Sequence, residues 1–174
     1  QAVAMDDGKI LVSAPLDDSL ASSGGQVYLF DAATGDLLHT LDDPTPQFSG
    51  NFGDSLAIDG DQIVVGNSNN NATGGLAIDS GEAHLFDAAT GDLQHTFNDP
   101  ASAYDHFGSS VAIQENTIVI GAYNGTTEGG RVGQVHLFDA QSRDLIRTID
   151  DPSPTLADAF GYAVAIDGEH FVVV

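Results

Sequence analysis

The chain of 174 residues has no cysteine, no tryptophan and a single lysine, Lys9, alongside three arginines, Arg131, Arg143 and Arg147. Without cysteine it forms no disulfide, no thiolate metal site and no cysteine nucleophile. Four basic residues against 26 acidic ones give a net charge of −22. Such a field repels nucleic acid and anionic lipid, so neither is expected as a partner. No apolar run is long enough to cross a bilayer, and no charged-then-apolar signal segment opens the chain. Membrane insertion is therefore not expected. No stretch combines helical period with caps, which excludes a helical repeat. Gly-x-Ser-x-Gly, His-Glu-x-x-His and phosphate-loop motifs are all missing, and aspartate is too abundant for any carboxylate pair to stand out.

What is present is repetition. Asp43-Pro44, Asp99-Pro100 and Asp151-Pro152 each open a loop that closes on Phe52-Gly53, Phe107-Gly108 or Phe160-Gly161. A strand of small apolar residues follows each Phe-Gly, and a Phe-Asp pair recurs at Phe30, Phe86 and Phe138. A repeat of some fifty residues signals a propeller or a solenoid. Twenty-two of the acidic residues are aspartate and four are glutamate. Aspartate suits turns and glutamate suits helices, so much of the acidity is turn chemistry in an all-β chain. The scarcity of lysine fits either a saline or calcium-rich setting or a simple need for solubility.

One repeat reads as four short strands. Leu56-Ala57-Ile58 is followed by the tight turn Asp59-Gly60-Asp61 and the β-branched strand 62–66. A polar loop, 67–81, leads to a third strand at 82–86. A turn with Gly91 in the left-handed position leads to a fourth strand at 93–97, and Asn98-Asp99-Pro100 stops it. Four antiparallel strands per repeat make a propeller blade. The fold expected is all-β, a β-propeller segment of four-stranded antiparallel blades. About three and a half blades are expected, within one segment 1–174 divided into repeats 1–51, 52–106, 107–159 and 160–174. The first repeat lacks its Phe-Gly, and the last holds two strands. A closed ring takes more blades, so a longer chain or self-association through open blade edges is expected to complete it. The aromatic rings of Phe52, Phe107 and Phe160 are expected between neighbouring sheets.

This ordered set of elements resembles FG-GAP repeats, the β-propeller repeats of integrin α-subunit heads and of bacterial and archaeal surface proteins. The Gly-Ala-Pro element stands as Ser13-Ala14-Pro15, Gly66-Asn67-Ser68 and Gly121-Ala122-Tyr123. The resemblance implies an extracellular propeller, typically seven-bladed, that binds partners through its loops. It also implies Ca²⁺ between strands one and two. Here that connection is a two-residue hairpin, too short to wrap a cation needing six to eight oxygens, so the family's usual calcium site is not carried over. A second echo is with pyrroloquinoline-quinone propellers, through Asp31–His39 and Asp87–His95. The docking tryptophan of that motif is His39, His95 and Arg147 here, so the echo reads as turn chemistry and a quinone enzyme stays an alternative.

Candidate metal ligands are the corner aspartates Asp42, Asp43, Asp99, Asp150 and Asp151, and Asp17 and Asp18 in the loop 15–25. They could supply Ca²⁺ oxygens. The competing expectation is that each corner aspartate accepts backbone N–H bonds in the turn before proline. Candidate partner-binding residues are Asn69, Asn70, Asn71, Tyr123, Glu128 and Arg131, in the long connections between strands two and three. Asn71 and Asn124 also begin glycosylation sequons. His84 and His136 replace Tyr28 and read as half-buried packing residues rather than zinc ligands. The function expected is a non-enzymatic, extracellular or cell-surface scaffold binding protein or carbohydrate. The alternatives are a filament subunit and a calcium-stabilised adhesion module.

Overall fold

The computed structural model describes residues 1–17, 24–46, 50–69, 80–100, 105–127, 130–155, 158–168 and 170–174. The first blade is β1 (Val3–Asp6), β2 (Lys9–Ala14), β3 (Gln26–Asp31) and β4 (Leu37–Asp42), paired in chain order. The second is β5 (Leu56–Asp59), β6 (Gln62–Asn67), β7 (Glu82–Asp87) and β8 (Leu93–Asn98). The third holds β9 (Phe107–Gln114) and β10 (Thr117–Ala122), then a small separate hairpin of β11 (Thr126–Thr127) and β12 (Gly130–Arg131), then β13 (Gln134–Asp139) and β14 (Leu145–Asp150). The fourth sheet is β15 (Val164–Asp167) with β16 (His170–Val173). All pairings within the sheets are antiparallel. The β11–β12 hairpin has no counterpart in the sequence reading.

Hydrophobic clusters sit between the blades. The first blade gives Leu11, Val27, Leu29 and Leu41 to a core closed by Phe52, Ile58, Ile63, Val65 and Phe86 of the second. Val64, Leu85 and Phe97 of the second blade meet Phe107, Ile118, Ile120 and Phe138 of the third. Val119, Val135 and Leu137 of the third meet Phe160, Val164 and Phe171 of the fourth. Alternate residues of each strand thus serve opposite neighbours, the consequence of the two-residue period of a strand buried on both faces. The Phe of each Phe-Gly fills an interblade core, as its place in the repeat implies.

The Phe-Gly backbone also clips successive blades together. The amides of Phe52, Phe107 and Phe160 donate to Gly24 O, Ser80 O and Val132 O of the preceding blade, at 2.9–3.1 Å. Gly81 comes so close to this crossing that a Cβ there would lie 2.0 Å from Phe107 O, and its φ is +78°. Only glycine fits such an approach. The hydroxyls of Ser55 and Ser110 extend the clip by donating to Gly108 O and Gly161 O of the next blade, at 2.7 and 2.8 Å.

The antiparallel order puts the β1–β2 and β3–β4 hairpins of every blade at one end. There the side chain closing strand one accepts from the next blade's hairpin: Asp6 from Gly60 N at 2.8 Å, Asp59 from Glu115 N, and Gln114 from Gly168 N at 2.6 Å. The β3–β4 turns are built alike, with Asp31, Asp87 and Asp139 each accepting two backbone N–H bonds. This is the Asx-turn chemistry that the aspartate excess implies. His39, at the position of the quinoprotein tryptophan, places its Nε2 3.1 Å from Ala89 O in the next blade's turn.

Candidate functional site

The opposite end carries the long connections between strands two and three and the Asp-Pro corners between blades. The sequence-predicted site residues that the structure describes fall at this end. Asp18, Asn70, Asn71 and Glu128 lie outside the described residues. Asp17 lines a cleft of about 350 Å³ with Gln1, Ala14, Pro15 and Leu16. Asn69 sits in the turn after β6, and Arg131 is exposed on the small hairpin, paired with Thr126.

The corner aspartates Asp42, Asp43, Asp150 and Asp151 take up structural bonds, and Asp99 stands at the matching corner after β8. Asp43 accepts from Thr45 N at 2.8 Å, and Asp151 accepts from Ser153 N at 2.7 Å. Both are turn aspartates of the kind expected before proline. Their neighbours Asp42 and Asp150 accept from the side-chain amides of Gln26 and Gln134, at 2.7 and 2.6 Å. In the second blade the residue types are swapped across the same strand pair, with the acid on strand three (Glu82) opposite the amide on strand four (Asn98). Among the described residues, no group of three or more histidine and acidic side chains is arranged to hold a metal ion.

The exchange buries a polar group between the first two blades. Glu82 is fully buried, and Asp43 is nearly so. Thr45 Oγ1 stands between them, 2.9 Å from Glu82 Oε2 and 3.3 Å from Asp43 Oδ1, while Asn67 Nδ2 donates to Asp43 Oδ2 at 3.0 Å. Burial pushes the Asp43 carboxyl up, against the hydrogen bonds from Thr45 and Asn67. Its neighbour Asp54 is pushed up to about 6, again by burial and against hydrogen bonds from the Ser68 hydroxyl and amide.

His84 and His136 are not half-buried, as the sequence suggested, but fully buried. Each meets a phenylalanine that opens its blade, Phe52 or Phe107, at 5.7 and 5.4 Å between ring centroids. Each ring Nδ1 bonds a cross-strand threonine, Thr96 or Thr148, at 3.0 Å. Loss of solvent lowers both imidazoles to about 4. They act as core residues.

Three positions at this end change chemistry between blades: the residue before Phe-Gly, the residue after it, and the residue following strand two. In the second blade they are Asn51, Asp54 and Ser68, all polar. In the third, His106 precedes Phe-Gly and Tyr123 follows strand two, and their rings stack at 4.8 Å and 4°. In the fourth, Tyr162 follows Phe-Gly and its ring meets that of Tyr123 edge to face, at 5.8 Å and 65°. Tyr162 is 67 % exposed. Sequence reasoning singled out Tyr123 but missed His106 and Tyr162. Lining up the residues beside each Phe-Gly would have found them.

The FG-GAP repeat model matches residues 47–86 and 97–138, each from a corner or outer strand through Phe-Gly to the Phe-Asp of strand three. No curated protein gives a significant match. The crystal structure of the computationally designed Ika8 protein is similar at a TM-score of 0.61 and 16 % identity, over 98 % of this chain and 41 % of that one. At that identity the likeness is one of fold, and this chain spans about two fifths of that structure's length. Residues 47–86 and 97–138 are FG-GAP repeats, and the chain is a β-propeller segment carrying them.

Proposed function

We propose that the chain is a non-enzymatic interaction module of an extracellular or cell-surface protein, which holds a protein or carbohydrate partner at its loop end. One observation carries this reading. The residues shared between blades are mostly spent on interblade contacts, whereas the aromatic residues peculiar to the third and fourth blades, His106, Tyr123 and Tyr162, gather at the loop end. In repeat proteins that division separates scaffold from binding surface. FG-GAP repeats are generally non-enzymatic and usually occur in extracellular proteins, which supports the same reading. The test grafts the second blade's residues onto the third and fourth at the loop end (His106→Asn, Tyr123→Ser, Tyr162→Asp). The grafted and parent proteins are then compared for retention of glycans and surface proteins from the source cells. Selective loss in the graft supports the reading, and equal retention overturns it.

A second reading, self-association through blade faces, rests on one surface. Val3 and Met5 of the first blade are 69 % and 70 % exposed. They occupy the positions of Leu56 and Ile58, which in the second blade pack on the blade before. Sedimentation of the purified chain tests it. A concentration-dependent oligomer that Met5→Glu dissolves is the expected outcome, and a monomer at every concentration refutes it.

A further inference from the structure

The corner formed by Tyr123 and Tyr162 is not required by the scaffold. The second blade builds the same backbone with Asn51, Asp54 and Ser68, and left-handed φ angles of +62° at Asn51, +55° at His106 and +57° at Ala159 show how closely it repeats. The aromatic side chains are thus an addition at one junction, and their arrangement is specific. Tyr123 lies flat on His106, which fixes its ring, and Tyr162 stands at 65° to it with most of its surface in water. Two ring planes meeting at that angle form a step with apolar faces. The hydroxyl of Ser109 lies at the start of the same blade and donates to Gly121 O at 3.2 Å.

The complement of such a step is a small ring with an apolar face and a polar rim. We propose that the Tyr123–Tyr162 corner binds a neutral pyranose unit of a glycan, with the C–H face of the sugar stacked on Tyr162 and its edge against Tyr123. The charge of −22 repels acidic sugars, which restricts the class to neutral ones. A basic peptide is the less favoured occupant for a physical reason. Exposed carboxylates stand at both ends of the blades, Asp36 and Asp92 at one and Asp42 and Asp150 at the other, so acidity does not mark this corner. Aromatic surface does mark it, because such surface is apolar, rigid and carries a polar tip.

This inference rests on the reading of the loop end as a binding surface and adds its ligand class. The absence of tryptophan makes tyrosine fluorescence usable as a readout. The purified chain is titrated with neutral hexasaccharides of glucose, mannose, galactose and N-acetylglucosamine, at 50 and 500 mM salt. At least one should bind with little salt dependence. Tyr162→Ala should weaken it about tenfold or more, and Tyr162→Phe should keep it. Because Tyr162 is exposed, an unchanged melting temperature in both variants shows that the fold is intact. Binding unaffected by Tyr162→Ala would overturn the corner while leaving the broader binding reading standing. Failure of every hexasaccharide to bind would overturn the sugar class. Tyr162-dependent, salt-sensitive binding of an oligoarginine peptide in place of any hexasaccharide would assign the corner to a basic partner and overturn the proposal.

Discussion

The Ser110 hydroxyl donates to the carbonyl of Gly161 at 2.8 Å, crossing from the third blade to the fourth. Ser55 and Gly108 repeat the contact one blade earlier at 2.7 Å. Each joins the innermost strands of two successive blades. Ser110→Ala should therefore destabilise the chain by about 1–3 kcal/mol, because it leaves a buried carbonyl without its donor. Urea unfolding of the single variants and of the Ser55→Ala/Ser110→Ala pair measures this. The two junctions are separate, so the losses should add. An unchanged midpoint would show that the hydroxyls contribute nothing.

Arg143 holds a left-handed backbone, φ +69°, at the turn position where the other blades place Gly35 and Gly91. A side chain in that region carries a steric cost that glycine avoids. Arg143→Gly should stabilise by up to about 1 kcal/mol, raising the melting temperature by about 2–4 °C in a chain of this size. Gly91→Ala should act in the opposite direction. Differential scanning calorimetry of both decides the matter, and a fall in Arg143→Gly would contradict the prediction.

Stability should depend on pH through buried groups of opposite sign. His84 and His136 are lowered to about 4 in the folded chain, chiefly by burial. Unfolding lets them bind protons near pH 6.5, so their contribution is complete above that value and is lost as pH falls towards 4. Asp54 is raised to about 6, also by burial, and its contribution is present below the unfolded value of 3.8 and lost as pH rises towards 6. Asp43, which burial also raises, acts with Asp54, but the two histidines shift over the wider part of the range, so acidification from pH 6.5 to 4 should destabilise the chain. Asp54→Asn removes the opposing contribution and should make that fall steeper, while stabilising the protein at pH 7.5 relative to pH 4.5. Urea midpoints across that range test both signs.

The architecture was legible in the sequence because the same physics is written three times. Phe-Gly marks the interblade clip, and the strands of the second blade lie within one residue of where β-branched runs and turn residues place them. Asp43 and Asp151 could be read as turn acceptors because proline follows them. What stayed hidden depends on register between distant segments. Tyr123 and Tyr162 belong to different blades, and nothing local to either announces the other. The depth of His84 and His136 was missed because alignment with Tyr28 of the first blade suggested a partly exposed site, whereas both blades that carry histidine are covered by the blade before. The exchange of Gln26–Asp42 for Glu82–Asn98 is visible only once strands three and four are paired.

The contacts between blades have a direction. At the hairpin end the side chain that closes strand one of the earlier blade, Asp6, Asp59 or Gln114, accepts from a backbone amide of the later one. At the inner strand the order reverses, with the serine in the earlier blade and the glycine carbonyl in the later. Each blade thus carries a plug on one side and a matching socket on the other. A gene duplication that copies one blade would seat the copy at any junction without new chemistry. The number of blades can then change without altering the contacts that hold each junction.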